Sequence, residues 1–91
     1  MLPIVWLDEA RDELDAIAAF VADWNVDAAI RLMEQIEHAA VSLTQFPYRG
    51  RSGRVAGTRE LLAHPNYWVI YEVKSNCIEI SAVLHACHEY P

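Results

Sequence analysis

Four arginines, Arg49, Arg51, Arg54 and Arg59, fall within eleven consecutive positions of a 91-residue chain. Guanidinium groups offer a planar fork of donors that grips carboxylate or phosphate in bidentate fashion. The cluster can therefore hold a phosphate, an acidic protein segment or an internal carboxylate. Pro47, Gly50, Gly53 and Gly57 punctuate this stretch. They predict a loop for Arg49, Arg51 and Arg54, the kind of segment on which binding groups commonly sit. Arg59 falls in a strand-like piece, where a structural pair with a carboxylate from elsewhere is as natural as a binding role. A second group, His85, Cys87, His88 and Tyr90, gathers near the C-terminus. Histidine titrates near neutrality and can move protons, provided a cation such as Arg54 or Arg59 lies close. His85, Cys87 and His88 have the right atoms for a metal. Three ligands so close in sequence rarely wrap one ion and no fourth is evident, so no metal and no cofactor is expected.

The charge is divided along the chain. The net charge is −6. Residues 1–45 hold two basic side chains (Arg11, Arg31) against nine acidic ones, whereas residues 46–91 hold five against four. Such asymmetry suggests two surfaces with different partners. Overall acidity disfavours indiscriminate nucleic-acid binding, although a local basic patch survives because charge interactions are screened over about 10 Å. A composition of 54% apolar and 22% charged residues fits one packed domain over 1–91 and argues against disorder. No apolar run reaches the roughly 20 residues that a membrane helix requires. The start, Met1 to Glu9, lacks a basic region, so no secretory leader is expected. Two cysteines make no disulfide framework. The expectation is a reduced, cytoplasmic protein.

The elements that must position these groups are legible as patterns. Ile4-Val5-Trp6 reads as a short strand. Asp8 can cap a helix in which Leu14, Ile17, Ala18, Val21 and Trp24 form one apolar stripe. The stripe favours packing for Trp24, although a tryptophan at a hairpin tip can also anchor a partner. Asn25 can cap a second helix with the stripe Val26, Ala29, Ile30, Met33, Ile36, Ala40 and Leu43. Two amphipathic helices joined so tightly must fold back as an antiparallel hairpin. After the arginine loop come strands at about Thr58–Ala63, Tyr67–Val73 and Cys77–His85. In the last, Ile78, Ile80, Ala82 and Leu84 alternate with Glu79, Ser81, Val83 and His85. In the middle strand, Tyr71 and Val73 should face the core, with Trp68 and Ile70 on the opposite side. The aromatics Tyr67, Trp68 and Tyr71 can alternatively stack on bases. The predicted fold is α+β, in the order β-α-α-β-β-β. A helical hairpin should pack on a small, mainly antiparallel, four-stranded sheet.

This order, with four stretches of residues, resembles the RelE/ParE superfamily of toxins from bacterial type II toxin–antitoxin modules. The stretches are Trp6-Leu7-Asp8-Glu9-Ala10, Gly50-Arg51-Ser52-Gly53-Arg54, Gly57-Thr58-Arg59-Glu60-Leu61, and Tyr67 to Val73 together with Val83-Leu84-His85-Ala86. The resemblance implies a toxin held inactive in a hetero-oligomer by a cognate antitoxin. RelE-like members are ribosome-dependent endoribonucleases that cut mRNA; ParE-like members bind and poison DNA gyrase. RelE-like members carry an arginine where this chain has Trp68, and another where it has Cys87-His88. No lysine lies in the basic loop. The resemblance therefore favours the non-enzymatic, ParE-like branch. It implies Arg49, Arg51, Arg54, Arg59, Trp68 and Tyr90 as residues that bind target or antitoxin. The endoribonuclease alternative implies Arg54 and Arg59 on phosphate with His85 or His88 moving protons. A third alternative is a degenerate member that only binds its antitoxin.

Overall fold

A computed structural model describes residues 1–86, so the expectations for Cys87, His88 and Tyr90 lie outside the described residues. The elements run β1 (Ile4–Trp6), α1 (Asp8–Ala22), α2 (Val26–Ser42), β2 (Arg51–Ser52), β3 (Arg59–His64), β4 (Tyr67–Val73) and β5 (Ile78–His85). The sheet order is β1-β5-β4-β3-β2, parallel only between β1 and β5. The sheet thus has five strands where four were expected. The additional strand, β2, is two residues long and lies inside the glycine-rich stretch read as loop. Two residues are too few for any alternation to register in a sequence.

The hairpin covers one face of the sheet. Leu14 of α1 and Leu32, Ile36 and Ala40 of α2 pack with Leu61, Val69, Tyr71, Ile78, Ile80 and Val83 in one core. Asp8 is the first helical residue rather than the cap, which falls on Leu7 with no side-chain bond. Asp8 and Glu9 still favour the helix start by meeting the positive end of its dipole. Asn25 caps α2 as expected, its Oδ1 accepting from the Ala28 N–H at 3.0 Å. Trp24 is not packed: it is 82% exposed at the hairpin tip. It follows the end of α1 at Ala22, in the short turn before α2 begins at Val26.

The clean alternation expected for the last strand is interrupted. A β-bulge lets Tyr71 pair with Ile80 but Ile70 with Ala82, leaving Ser81 unpaired. Ile78, Ile80 and Val83 therefore all reach the helix side, while Ala82 and Leu84 turn to the open face with Ile70 and Trp68. One extra residue is enough to exchange faces, because side chains alternate with period two. Where β1 ends, Glu13 of α1 takes over: its Oε1 accepts the Val83 N–H at 3.1 Å.

Tyr71 joins the sheet to the arginine loop. Its hydroxyl accepts the Gly50 N–H at 2.9 Å and donates to the Pro47 carbonyl at 2.8 Å. A Cβ on residue 50 would lie 2.7 Å from both this hydroxyl and the Glu60 carbonyl, so only glycine permits the approach. Burial pushes the Tyr71 phenol above its ordinary value of 10.0, against the opposing pull of the Gly50 N–H and the Arg59 and Arg49 charges. The folded state thus holds the phenol proton more tightly than the unfolded chain. That contribution is full below about pH 10 and is lost as pH rises through the folded value. Tyr71→Phe should cost about 1–3 kcal/mol at pH 7, because Gly50 N–H loses its buried acceptor. In urea titrations from pH 7 to 11, the variant should also lose less stability at the alkaline end than the wild type.

Candidate functional site

Successive side chains on a strand point to opposite faces, and this divides the arginines. Arg51 pairs with Glu60 across β2 and β3, and Glu60 pairs with Ile70. These three residues share the open face, away from the helices. Arg59 pairs with Tyr71 and lies on the other face. Its Nη1 donates to the Gly50 carbonyl at 2.7 Å, and its guanidinium stands 4.8 Å from the Tyr48 ring centroid. Arg49 donates to the Ser42 hydroxyl at 2.7 Å, against the end of α2. The cluster in sequence is therefore two groups in space. Arg49 and Arg59 hold the turn that launches β2, while Arg51 and Arg54 border the open face. Of the two readings of Arg59, the structural pair with a carboxylate is not what forms: the guanidinium meets a carbonyl and an aromatic ring.

The open face carries a cleft of about 190 Å³, lined by Arg51, Arg54, Glu60, Trp68, Ile70, Leu84, His85 and Ala86. They come from four stretches of chain, at and after β2, in β3, in β4 and at the end of β5, brought together by the antiparallel pairing of β2 through β5. The Arg51 Nε donates to Glu60 Oε1 at 2.8 Å, and its guanidinium lies 4.3 Å from the Trp68 ring centroid. A cation over an indole face gains electrostatic attraction from the ring quadrupole. Arg51 is thus fixed between a buried carboxylate and an aromatic plane. Tyr67 packs edge-on against His85 at 5.2 Å between centroids. His85 lines the cleft together with Arg54, whereas Arg59 does not reach it. Among the described residues, no group of three His, Cys, Asp or Glu side chains could hold a metal ion.

Glu60 is the site residue that sequence reasoning did not single out. It is 4% exposed, and its Oε2 is buried without a hydrogen-bond partner among the described residues. The available signal was its placement: an acid between Arg59 and Leu61, on a strand with apolar neighbours.

A second depression of about 440 Å³ runs between α1 and β5, lined by Ile17, Phe20, Tyr67, Val83, Leu84 and His85 among others. Phe20 is 65% exposed. A third, on the outer side of the hairpin, is floored by Ala18, Ala22, Ala29, Ile30 and Met33 and rimmed by Glu34 and Glu37. Among the described residues, no helix is long and apolar enough to cross a membrane.

A helical hairpin covers one face of a small mixed sheet, and a cleft bordered by Arg51 and Arg54 lies on the other. The family model described as "ParE toxin of type II toxin-antitoxin system, parDE" matches residues 4–90, and the chain belongs to that family. It is 38% identical over 89 residues to the protein named "Putative toxin Y4kP" of Sinorhizobium fredii, covering 97% of this chain and 92% of that one. It is 34% identical over 86 residues to Toxin RelE2 of Caulobacter vibrioides, covering 94% and 97%. In structure it resembles a chain of the chromosomal ParDE toxin–antitoxin system of P. aeruginosa, with a TM-score of 0.83, 25% identity and 93% and 96% coverage. The YoeB dimer of Staphylococcus aureus shares the fold, with a TM-score of 0.66, 14% identity and 98% coverage of both chains.

The Arg51–Glu60 pair makes a stability prediction. Arg51→Ala should cost about 1–3 kcal/mol, because it strips the buried carboxylate of its donor. The double variant Arg51→Ala/Glu60→Leu should recover part of that loss in urea unfolding, since a buried pair is often replaced by apolar groups at little cost.

Proposed function

We propose that this toxin acts without chemistry of its own, by binding DNA gyrase, and that a cognate antitoxin neutralises it by covering its grooves. The observation that carries this reading is the state of Arg51. A phosphate-gripping arginine keeps its guanidinium fork directed at the substrate. Here Arg51 Nε is committed to Glu60, and the guanidinium lies against Trp68, the residue that stands where RelE-like members have an arginine. Membership of the ParE family supports the same branch. The basic groups Arg49, Arg51, Arg54 and Arg59, with Trp68 and Tyr90, are proposed to meet the target or the antitoxin.

The antitoxin is proposed to lay an amphipathic segment along the apolar depression between α1 and β5, where Phe20 is exposed. Its carboxylates would reach the arginines. On this reading the working protein is cytoplasmic and part of a hetero-oligomer.

One observation favours a second reading, a ribosome-dependent mRNA endoribonuclease. Arg51, Arg54, Glu60 and His85 line a single cleft, which supplies both cations and proton-transfer groups. The two readings separate in one induction experiment without the antitoxin. Gyrase poisoning predicts a DNA-damage response, and purified protein should inhibit supercoiling while transcript ends stay unchanged. Codon-phased mRNA cuts with gyrase supercoiling unaffected would transfer the assignment to the endoribonuclease.

A further inference from the structure

The outer side of the hairpin carries more apolar surface than the core uses. At about 100° per residue, the buried Ala29, Leu32, Ile36 and Ala40 of α2 fall within one arc of about 80°. Val26, Ile30 and Met33 widen that arc by about as much again. The second half of the arc stays open: Val26 is 61% and Ile30 51% exposed. Across the hairpin, Ala18, Ala19 and Ala22 of α1 are short side chains, and a trough of about 440 Å³ remains between the two helices. Trp24, in the turn that joins the two walls, is exposed as well. Single exposed apolar residues are ordinary on a soluble protein, whereas a contiguous apolar patch with a polar rim marks an interaction site.

The rim restricts what can cover it. Glu34 and Glu37 border the trough. The hairpin has nine acidic side chains against Arg11 and Arg31, and neither arginine lines the trough. A symmetric pair of copies would set this patch against itself, acid against acid. Anionic lipid head groups and nucleic-acid phosphates would meet the same repulsion. A groove along two packed helices suits a third helix, seated through apolar anchors spaced at i, i+3 or i+4, and i+7. We propose that the outer trough of the hairpin docks an amphipathic helix of a protein partner, with its apolar anchors against Val26, Ile30 and the α1 alanines and its lysine or arginine side chains on Glu34 and Glu37. The trough shares no lining residue with the open-face cleft or with the depression between α1 and β5. The inference therefore goes beyond the function proposed above and does not depend on it. It gives the molecule a further surface, opposite in charge to the arginine edge and selective for a basic partner.

The probe is a synthetic helical peptide of about 18 residues, or about five turns, with leucines along one face and lysines on the rest. One companion peptide has glutamate for every lysine; another keeps the composition but scatters the leucines. Titrations of the full chain are followed by methyl NMR. The amphipathic lysine peptide should shift Ile30 and Met33 and leave Ile17, in the α1–β5 depression, unmoved. Ile30→Glu should weaken binding about tenfold or more. Val41→Glu, at an exposed position of α2 outside the trough, should bind as the wild type does. Glu34→Lys/Glu37→Lys should transfer the preference to the glutamate peptide, which a general loss of structure would not do. Binding of either companion peptide to the wild type, or of the lysine peptide to Ile30→Glu, within about twofold of the reference pair would overturn the proposal. So would Ile17 moving in place of Ile30. Ile30 and Met33 signals that move with protein concentration alone, with a doubled mass in sedimentation, would assign the trough to a second copy instead.

Discussion

The Tyr71 hydroxyl lies at the point where the sheet, the end of the hairpin and the arginine loop meet. It accepts from Gly50 and donates to Pro47, so a single buried oxygen closes both sides of the turn that follows α2. Arg59 adds a bond to the Gly50 carbonyl from the neighbouring strand. Gly50 is held by both its N–H and its carbonyl, and Arg51, next in the chain, pairs with Glu60 of β3. That pairing sets Arg51 opposite Glu60 and beneath Trp68. The open-face cleft is thus a consequence of how a tyrosine on the core face anchors a loop. The ring of Tyr71 belongs to the hydrophobic core, where it is fully buried. Cohesion of the core and geometry of the site are therefore linked through one side chain.

The same arrangement explains why four nearby arginines do different work. A strand sends alternate side chains to opposite faces, and a loop pinned at Gly50 carries that division upstream to Arg49. Two guanidinium groups, Arg49 and Arg59, serve the framework. Arg51 is shared between framework and site, since it satisfies half of a buried carboxylate while bordering the cleft. Arg54 stands at the rim. The acidic half of the molecule forms the hairpin, and the cations collect around the far edge of the sheet. A protein partner that covers both must meet acidic rims on the helices and guanidinium groups on the other side, which is a demanding pattern and hence a selective one.

Much of this architecture was legible in the residues. The two helical stripes, the Asn25 cap and the aromatic β-branched run Tyr67–Val73 each follow one local rule, and local rules survive folding. Three features were not legible, each for a physical reason. The strand at Arg51–Ser52 follows Gly50, whose N–H is held by a hydroxyl 21 positions away in sequence. The bulge at Ser81 exchanges the faces of Ala82, Val83 and Leu84, and no residue type in the run announces it. The importance of Glu60 arises from burial, which depends on what lies over it rather than on its neighbours in the chain. Trp24 failed in the opposite direction: the helix that carries the stripe ends at Ala22, two residues before it. The resemblance in sequence led to the right family, whereas the spatial division of the arginines needed strand register.

The claim that the Tyr71 hydroxyl governs the loop can be examined at the one amide it holds. Native-state hydrogen exchange of the Gly50 N–H should be slow, with an opening free energy close to that of global unfolding, although Arg49, Arg51 and Ser52 beside it are partly or largely exposed. An exchange rate near that of an unstructured peptide would mean that the turn opens independently of the core, and the account of how the cleft is positioned would not stand.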